Sequence, residues 1–319
     1  MKKFPHSIII AGVVKNCAKY LPKLFERIEG ISERFEKSSC LFVENDSKDA
    51  TRQLLGDWLE KGKRGTLIVY DRLDAAIPQG TARIAFARNR LLDHIEGDAL
   101  LSQYDYLLSI DMDEVNHELF PEAIASCFEH PTDSWDALFA NQSEIYYDIW
   151  ALRHAWWSPD DCWNNVQRRP AFIPRQQASR YSVHGRMLCI SPHMGLIPVD
   201  SAFGGAGIYR LEKIRGCRYR GMTKSKKAVC EHVYFHEQLR KKGAKLFINA
   251  QMMNSSGINS HSKWAWRILY RKPLIIRAKS FLKSVWSGII RQFIGKIYGI
   301  KPNHIIPITP ERNIRPPIQ

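Results

Sequence analysis

Tyr106-Leu107-Leu108-Ser109-Ile110-Asp111-Met112-Asp113-Glu114 is the stretch on which the reading of this chain turns. An apolar, strand-like run ends in two carboxylates two positions apart. Successive strand side chains alternate in direction, so Asp111 and Asp113 point to the same side. Hard oxygen ligands so placed suit Mg²⁺ or Mn²⁺, ions that use one or two carboxylates and complete their coordination with water and substrate phosphate oxygens. A solvated turn with helix-capping acids is built from the same residues. What separates the two readings is the company the segment keeps.

On its N-terminal side the chain alternates β-branched runs with helical patterns. Strands are predicted at 7–14, 39–44, 66–71, 104–110 and 136–140, and helices at 18–29, 49–61, 82–95 and 119–129. The helix at 18–29 sets Leu21, Leu24, Phe25 and Ile28 along one face. Such alternation predicts an α/β fold with a mostly parallel sheet and flanking helices. Ligands of open parallel sheets bind beyond the carboxyl ends of the strands, which directs attention to loops 15–17, 44–49 and 111–117. From 141 to 229 the pattern is irregular and rich in aromatics, Arg, Gly and Pro, and a helix at about 230–242 and a strand Lys245–Ala250 follow.

Several residues in this frame could carry chemistry. In Leu41-Phe42-Val43-Glu44-Asn45-Asp46-Ser47-Lys48-Asp49, Ser47 or Asp49 can cap the next helix, and Glu44 or Asp46 can accept hydrogen bonds from a base or ribose or serve the turn alone. Arg83 and Arg90 share a helical face while Arg88 lies toward another, and an Arg beside a metal-bound diphosphate adds bidentate contacts. Glu231, His232 and His236 open a helix, with the two histidines four apart on one face, and could supply a general base or a metal ligand. The spacing is not HExxH, which argues against zinc. Gly204-Gly205-Ala206-Gly207 lacks the GxxxxGKS/T pattern of a P-loop. It is expected to be a flexible loop beside a ligand pocket, where Trp150, Trp156, Trp157 or Trp163 offers an apolar face.

Taken together, residues 7–250 resemble the nucleotide-sugar glycosyltransferases of the GT-A fold. The resemblance rests on Ile8–Asn16, Val43-Glu44-Asn45-Asp46-Ser47-Lys48-Asp49-Ala50-Thr51, Asp111-Met112-Asp113 and Glu231 through Gly243, in that order. The second is similar to the V-D-D-G-S-x-D-G-T nucleotide segment of the large inverting family. The last is similar to its E-D-x-x-L-x-x-x-L-R-x-x-G helix, with Leu239, Arg240 and Gly243 in register. Arg88-Asn89-Arg90, Tyr147-Asp148-Ile149-Trp150-Ala151-Leu152-Arg153 and Cys230-Glu231 are also similar to the R-N-R and Y-D-x-W-x-x-R pieces of the fungal capsule-type α-1,3-mannosyltransferases.

The resemblance implies a GDP- or UDP-sugar donor. Glu44 or Asp46 would be at the nucleoside, Arg88 at the diphosphate, and Asp111 and Asp113 on Mn²⁺ or Mg²⁺. Where the inverting family has Glu-Asp, this chain has Glu231-His232. Either could deprotonate the acceptor, and His232, His236 or His261 could instead complete the metal shell, as in several retaining GT-A enzymes. A nucleotidyltransferase, a phosphohydrolase or a non-catalytic sugar-nucleotide-binding protein would use the same carboxylates.

Charge divides the chain. The 319 residues carry a formal net charge of +15, yet 238–310 holds fourteen basic residues and no acidic one, so the body is close to neutral. That argues against a nucleic-acid partner. In 263–319, apolar pairs at 281/282, 285/286, 289/290, 293/294 and 297/298 recur among Arg277, Lys279, Lys283, Arg291 and Lys296. The pattern predicts a basic amphipathic helix on an anionic membrane surface, attached to a catalytic domain spanning 1–262. No apolar stretch approaches the ~20 residues that span a bilayer. The run Ile8–Val14 is too short, and Lys15-Asn16 follows in place of a small-residue cleavage site. Seven cysteines without CxxC pairs are expected to be buried thiols. The expected setting is cytoplasmic, at the inner face of a membrane, with a glycan or glycolipid acceptor.

Overall fold

The computed structural model describes residues 3–62 and 65–256. In chain order its elements are β1 (Phe4–Val14), α1 (Leu21–Ser32), β2 (Phe35–Asn45), α2 (Thr51–Gly62), β3 (Gly65–Tyr70), α3 (Leu73–Ala76), α4 (Gly80–Gly97), β4 (Tyr106–Ile110), α5 (Pro121–Ala125), β5 (Ala137–Gln142), α6 (Cys162–Gln167), α7 (Arg175–Ser182), β6 (Leu196–Pro198), β7 (Ala206–Arg210), α8 (Leu211–Ile214), α9 (Glu231–Lys241) and β8 (Leu246–Ser255). The strands form one eight-stranded sheet in the order β3-β2-β1-β4-β7-β5-β8-β6.

Pairing is parallel through β3-β2-β1-β4 and between β5 and β8. It is antiparallel where β7 joins β4 to β5 and where β6 joins β8. Ile8, Ile9, Ile10, Leu41, Phe42, Val43, Leu107 and Leu108 are buried. Continuous apolar runs of this kind belong to strands covered on both faces. One cover is α1, which buries Leu21, Leu24, Ile28 and Ile31, while the expected fourth residue, Phe25, stacks on Trp58 with ring centroids 4.4 Å apart. Each fully buried Leu or Ile stabilises the fold by about 1.5–3 kcal/mol.

The chain lays β2 and β3 on one side of β1 and then places β4 on the other. The crossovers therefore reverse direction between β1 and β4, and a crevice opens beyond the carboxyl ends of those two strands. Topology alone thus puts Asp111 beside that crevice.

Two expectations are corrected. The helix predicted at 119–129 is α5 followed by a 3-10 turn over Ser126–Glu129. The glycine segment is not a flexible loop. Gly204 and Gly205 form a turn at φ +64° and +89°, and Ala206 and Gly207 begin β7 in the middle of the sheet. A Cβ on Gly207 would come within 3.0 Å of the Phe139 ring, so packing asks for glycine where strand propensity does not. The seven cysteines are free, all but Cys189 buried. Among the described residues no helix is long and apolar enough to cross a membrane. His261 and the helix expected in 263–319 lie outside the described residues.

A Cβ on Gly205 would lie 2.6 Å from Val115 Cγ1, whereas one on Gly216, at φ +70°, would meet nothing within 4 Å. Strained backbone costs about 1–3 kcal/mol, and the clash adds to it only at Gly205. Gly205→Ala should therefore lower Tm more than Gly216→Ala in thermal denaturation. Equal losses would contradict the packing described for this turn.

Candidate active site

Three buried amides fasten the turn after β4 to the turn before β7. The Asp111 N–H donates to the Gly205 carbonyl at 2.8 Å. Asn116 Nδ2 donates to the Asp111 and Gly205 carbonyls, each at 2.7 Å. Asn254 Nδ2 donates to Asn116 Oδ1 at 2.8 Å and to the Gly204 carbonyl at 2.7 Å. Gln142 Nε2 donates to the Gly204 carbonyl at 2.9 Å and to Asn254 Oδ1 at 3.0 Å. Breaking one member strands buried partners at about 1–3 kcal/mol each, so the network holds the Asp111 loop to one geometry. Asp113 caps the next turn by accepting from the Val115 N–H at 3.0 Å.

Arg88 reaches this loop from α4. It is 4% exposed. Nη1 donates to Ser109 Oγ at 2.9 Å and Nη2 to Asp111 Oδ1 at 3.0 Å, while Nε lies 3.3 Å from Glu231 Oε1 on α9. The guanidinium carbon sits 4.9 Å from the Phe203 ring centroid and 5.7 Å from that of Tyr219. Asn89 locks the Tyr219 backbone to α4 by donating to its carbonyl at 3.0 Å and accepting from its N–H at 2.7 Å. Arg90 pairs instead with Asp93 one turn along the helix.

A fourth carboxylate completes the cluster. Asp148 accepts from the Gly204 N–H at 3.0 Å and the Ala151 N–H at 3.2 Å. Asp111, Asp113, Asp148 and Glu231 thus share a field in which Arg88 is the buried cation. Burial pushes the Asp111 carboxyl up to about 7; Arg88 opposes the rise and Asp113, Asp148 and Glu231 add to it. Burial raises Glu231 as well, again against Arg88. An excess of carboxylate over cation, with 33% of the Asp111 side chain still exposed, fits a hard divalent ion. Among the described residues no three His, Cys, Asp or Glu side chains converge into a ready cage. Asp111 and Asp113 would therefore share the ion with substrate oxygens.

The histidines take other roles. His232 stacks on Phe203 with centroids 3.8 Å apart, and Nε2 lies 3.6 Å from Glu231 Oε1. Burial first, then Arg88 and His236, depresses it well below the usual imidazole range, so the ring is neutral. His236 binds Ser201 Oγ through Nδ1 at 2.8 Å and Tyr209 OH through Nε2 at 2.9 Å, and burial pushes it down to about 3. With both nitrogens engaged it does not join Asp111 and Asp113 as the expected metal ligand. The i, i+4 spacing does put both rings on one face, but α9 uses that face to pack on Tyr209 of β7.

Glu44 turns inward, whereas Asp46 is half-buried at the wall of an open cleft. Glu44 is buried, accepting from the Ser47 N–H at 2.8 Å and from Arg52 Nε at 2.6 Å. Asp46 stands at φ +50° where the resembled motif has glycine, a conformation Asp tolerates. It accepts from the Arg72 and Asp74 N–H groups at 2.6 and 2.8 Å, and these bonds, Asp74 first, lower its pKa. Both carboxylates brace the loop, which borders an open cleft of about 620 Å³ with Ser47, Lys48 and Gln53 on its wall. Loop 15–18 is tied across by Asn16 N–H to Ser47 Oγ at 3.0 Å and Cys17 N–H to Thr51 Oγ1 at 2.7 Å. The reading from sequence missed Ser109, Tyr219 and the three amides as site builders. Asp148 belongs to the Tyr147–Arg153 stretch, where sequence pattern alone gives it no role.

No protein-family model matches the chain, and no curated protein matches it. Among solved structures it is similar to the mannosyltransferase PcManGT from Pyrobaculum calidifontis in complex with GDP-Man and Mn²⁺, at 12% identity over 83% of this chain and 61% of that one, TM-score 0.45. It is similar to S. aureus TarS 1–349 at 13% identity over 84% and 64%, TM-score 0.41. It is also similar to glucosyl-3-phosphoglycerate synthase from Mycobacterium tuberculosis in complex with UDP, at 11% identity over 80% and 72%, TM-score 0.37. The chain spans 61% and 64% of the lengths of the first two.

Arg88→Met leaves buried Glu231 and half-buried Asp111 without their cation, a loss of at most about 3–5 kcal/mol when both are ionised. Their folded-state pKa values, already above the unfolded ones, would rise further. The penalty is therefore small where both are protonated and grows as pH climbs through those values. Urea unfolding should find the variant far more destabilised at about pH 8 than at about pH 5. A pH-independent difference would exclude the ion-pair account.

Proposed function

We propose that the chain is a divalent-metal-dependent GT-A glycosyltransferase that moves a hexosyl group from a GDP- or UDP-sugar to a glycan or glycolipid acceptor. The observation that carries this reading is Arg88 joining Asp111 to Glu231 at the reversal between β1 and β4. A bound Mn²⁺ or Mg²⁺ supplies Lewis-acid stabilisation of the diphosphate as it gains charge.

The protein's own groups do the rest. Asp111 and Asp113 would hold the ion, and Arg88, which orients Asp111, would add positive charge on the diphosphate side. The loop bracing of Glu44 and Asp46 shapes the nucleoside side of the cleft. In the transfer, the acceptor oxygen forms a bond to the anomeric carbon while the bond from that carbon to the diphosphate oxygen breaks. The electron pair leaves with the nucleoside diphosphate, and the acceptor proton passes to a base. Glu231 is the group assigned to take it, because burial raises its proton affinity. Neutral His232 beside it is the second member of the pair.

Mannose as the sugar rests on the similarity to the capsule-type family. The three segments of that similarity meet in one place, Arg88 at Glu231 with Asp148 in the same field, which supports a common site and leaves the sugar to the similarity alone. Attachment to the inner membrane face rests on the charge of 263–319. The rival nucleotidyltransferase and phosphohydrolase readings differ in product.

Asp111→Ala with Asp113→Ala should reduce transfer to background while circular dichroism shows a folded protein, and the wild type should release nucleoside diphosphate, not monophosphate or pyrophosphate. Undiminished transfer by the double variant would refute the metal-site assignment. Truncation after residue 262 should move the protein from the membrane fraction to the supernatant on cell fractionation. An unchanged distribution would remove the attachment role from the tail.

A further inference from the structure

A second cleft, of about 700 Å³, lies between the α6–α7 segment and the hairpin turn at 222–228. That volume is within the range of small-molecule sites. Arg168, Arg175 and Lys227 line it, each exposed. Neither they nor Lys224 and Lys226 on the same hairpin make an ion pair among the described residues. The lining carboxylate is Asp161, and it is consumed. One of its oxygens accepts from the Trp163 and Asn164 N–H groups at 3.0 and 2.9 Å, the other from Trp150 Nε1 at 3.1 Å and Arg153 Nη2 at 3.3 Å. Trp150 and Trp163 contribute aromatic surface to the same cleft.

This charge is local. Residues 1–237 carry equal numbers of basic and acidic side chains, so three cations drawn from three separate segments into one cleft are not a by-product of a basic body. The hairpin that brings Lys227 is shaped by its own bonds, Thr223 N–H to the Lys227 carbonyl at 2.8 Å and Lys226 N–H to the Thr223 carbonyl at 3.0 Å, with Lys226 at φ +60°. The cleft also abuts the carboxylate cluster. Trp150 packs with Phe203 and Cys230, Phe203 underlies the Arg88 guanidinium, and the lining residue Val229 is two positions before Glu231.

We propose that this cleft is the acceptor subsite and that it selects a saccharide bearing a fixed anionic group, phosphate or carboxylate, with Arg168, Arg175 and Lys227 on the anion and the tryptophans against the sugar. The assignment as acceptor subsite rests on the transferase reading; the anion selectivity does not. Charge-assisted bonds to Arg and Lys would hold the anion, and exposed cations so used lose strength as salt rises.

The test is isothermal titration of the full chain with maltotriose, phosphorylated maltotriose and trigalacturonate at low salt. At least one anionic trisaccharide should bind and the neutral one should not, with phosphate or carboxylate identified by which of the two binds. Arg168→Ala with Arg175→Ala and Lys227→Ala should weaken that binding about tenfold or more, given the usual strength of charged hydrogen bonds. Tm should not change, and Lys at 168 and 175 should restore part of the affinity. Binding of the neutral sugar as tightly as the anionic ones, no binding of either anionic sugar, or full affinity in the triple variant would overturn the proposal. The shift in Tm produced by GDP or UDP with Mn²⁺ is read in parallel on the wild type. Its absence alongside charge-dependent sugar binding would sink the transferase reading and leave the cleft's selectivity standing.

Discussion

One buried guanidinium organises this molecule. Arg88 stands on α4, its partner Asp111 directly follows β4 and its partner Glu231 begins α9, so a single side chain joins residues 23 and more than a hundred positions away. A cation this buried persists only where its charge is answered, and two carboxylates at 3.0 and 3.3 Å answer it. Glu231 is itself buried and Asp111 is half-buried, and Arg88 opposes the rise that burial imposes on the pKa of each. The requirement is mutual, and it fixes the spacing between the end of β4 and the start of α9.

The amides Asn116, Asn254 and Gln142 do for the backbone what Arg88 does for the charges. They consume the carbonyls of Gly204 and Gly205 and that of Asp111, leaving the β4 and β7 turns one hydrogen-bonded arrangement. The acidic loop is therefore preorganised before any ligand arrives, and a preorganised site spends less of its binding energy on ordering. The same economy explains why the glycines here are not mobile. Their conformational freedom is used to bring two backbones close.

Much of the first half was legible because its signals are local. The strands β1 to β4 are continuous apolar runs, α1 shows its helical stripe, and the pair Asp111/Asp113 at a strand end announced a carboxylate site. What escaped is long-range. β7 was hidden because Gly207 is chosen for its fit against Phe139 and not for strand propensity. The destination of His236 was hidden because helical spacing tells which side chains share a face, but not which neighbour that face meets. Of Glu44 and Asp46, Glu44 is taken up by Arg52 and the Ser47 N–H, while Asp46 accepts from the Arg72 and Asp74 backbone and still lines the open cleft. Arg88 was recognised as a site residue, but its bond to Glu231 required the fold.

The account stands on the claim that the Arg88-centred carboxylates bind a metal together with a nucleoside diphosphate. The direct measurement is thermal unfolding of the wild-type chain with GDP or UDP, with Mn²⁺ present or removed by EDTA. A ligand selective for the folded state at a hundred times its Kd adds about 2.7 kcal/mol. The account predicts that one of the nucleotides raises Tm with Mn²⁺ and that the shift disappears with EDTA; no shift from either nucleotide, or one that survives EDTA undiminished, would contradict it.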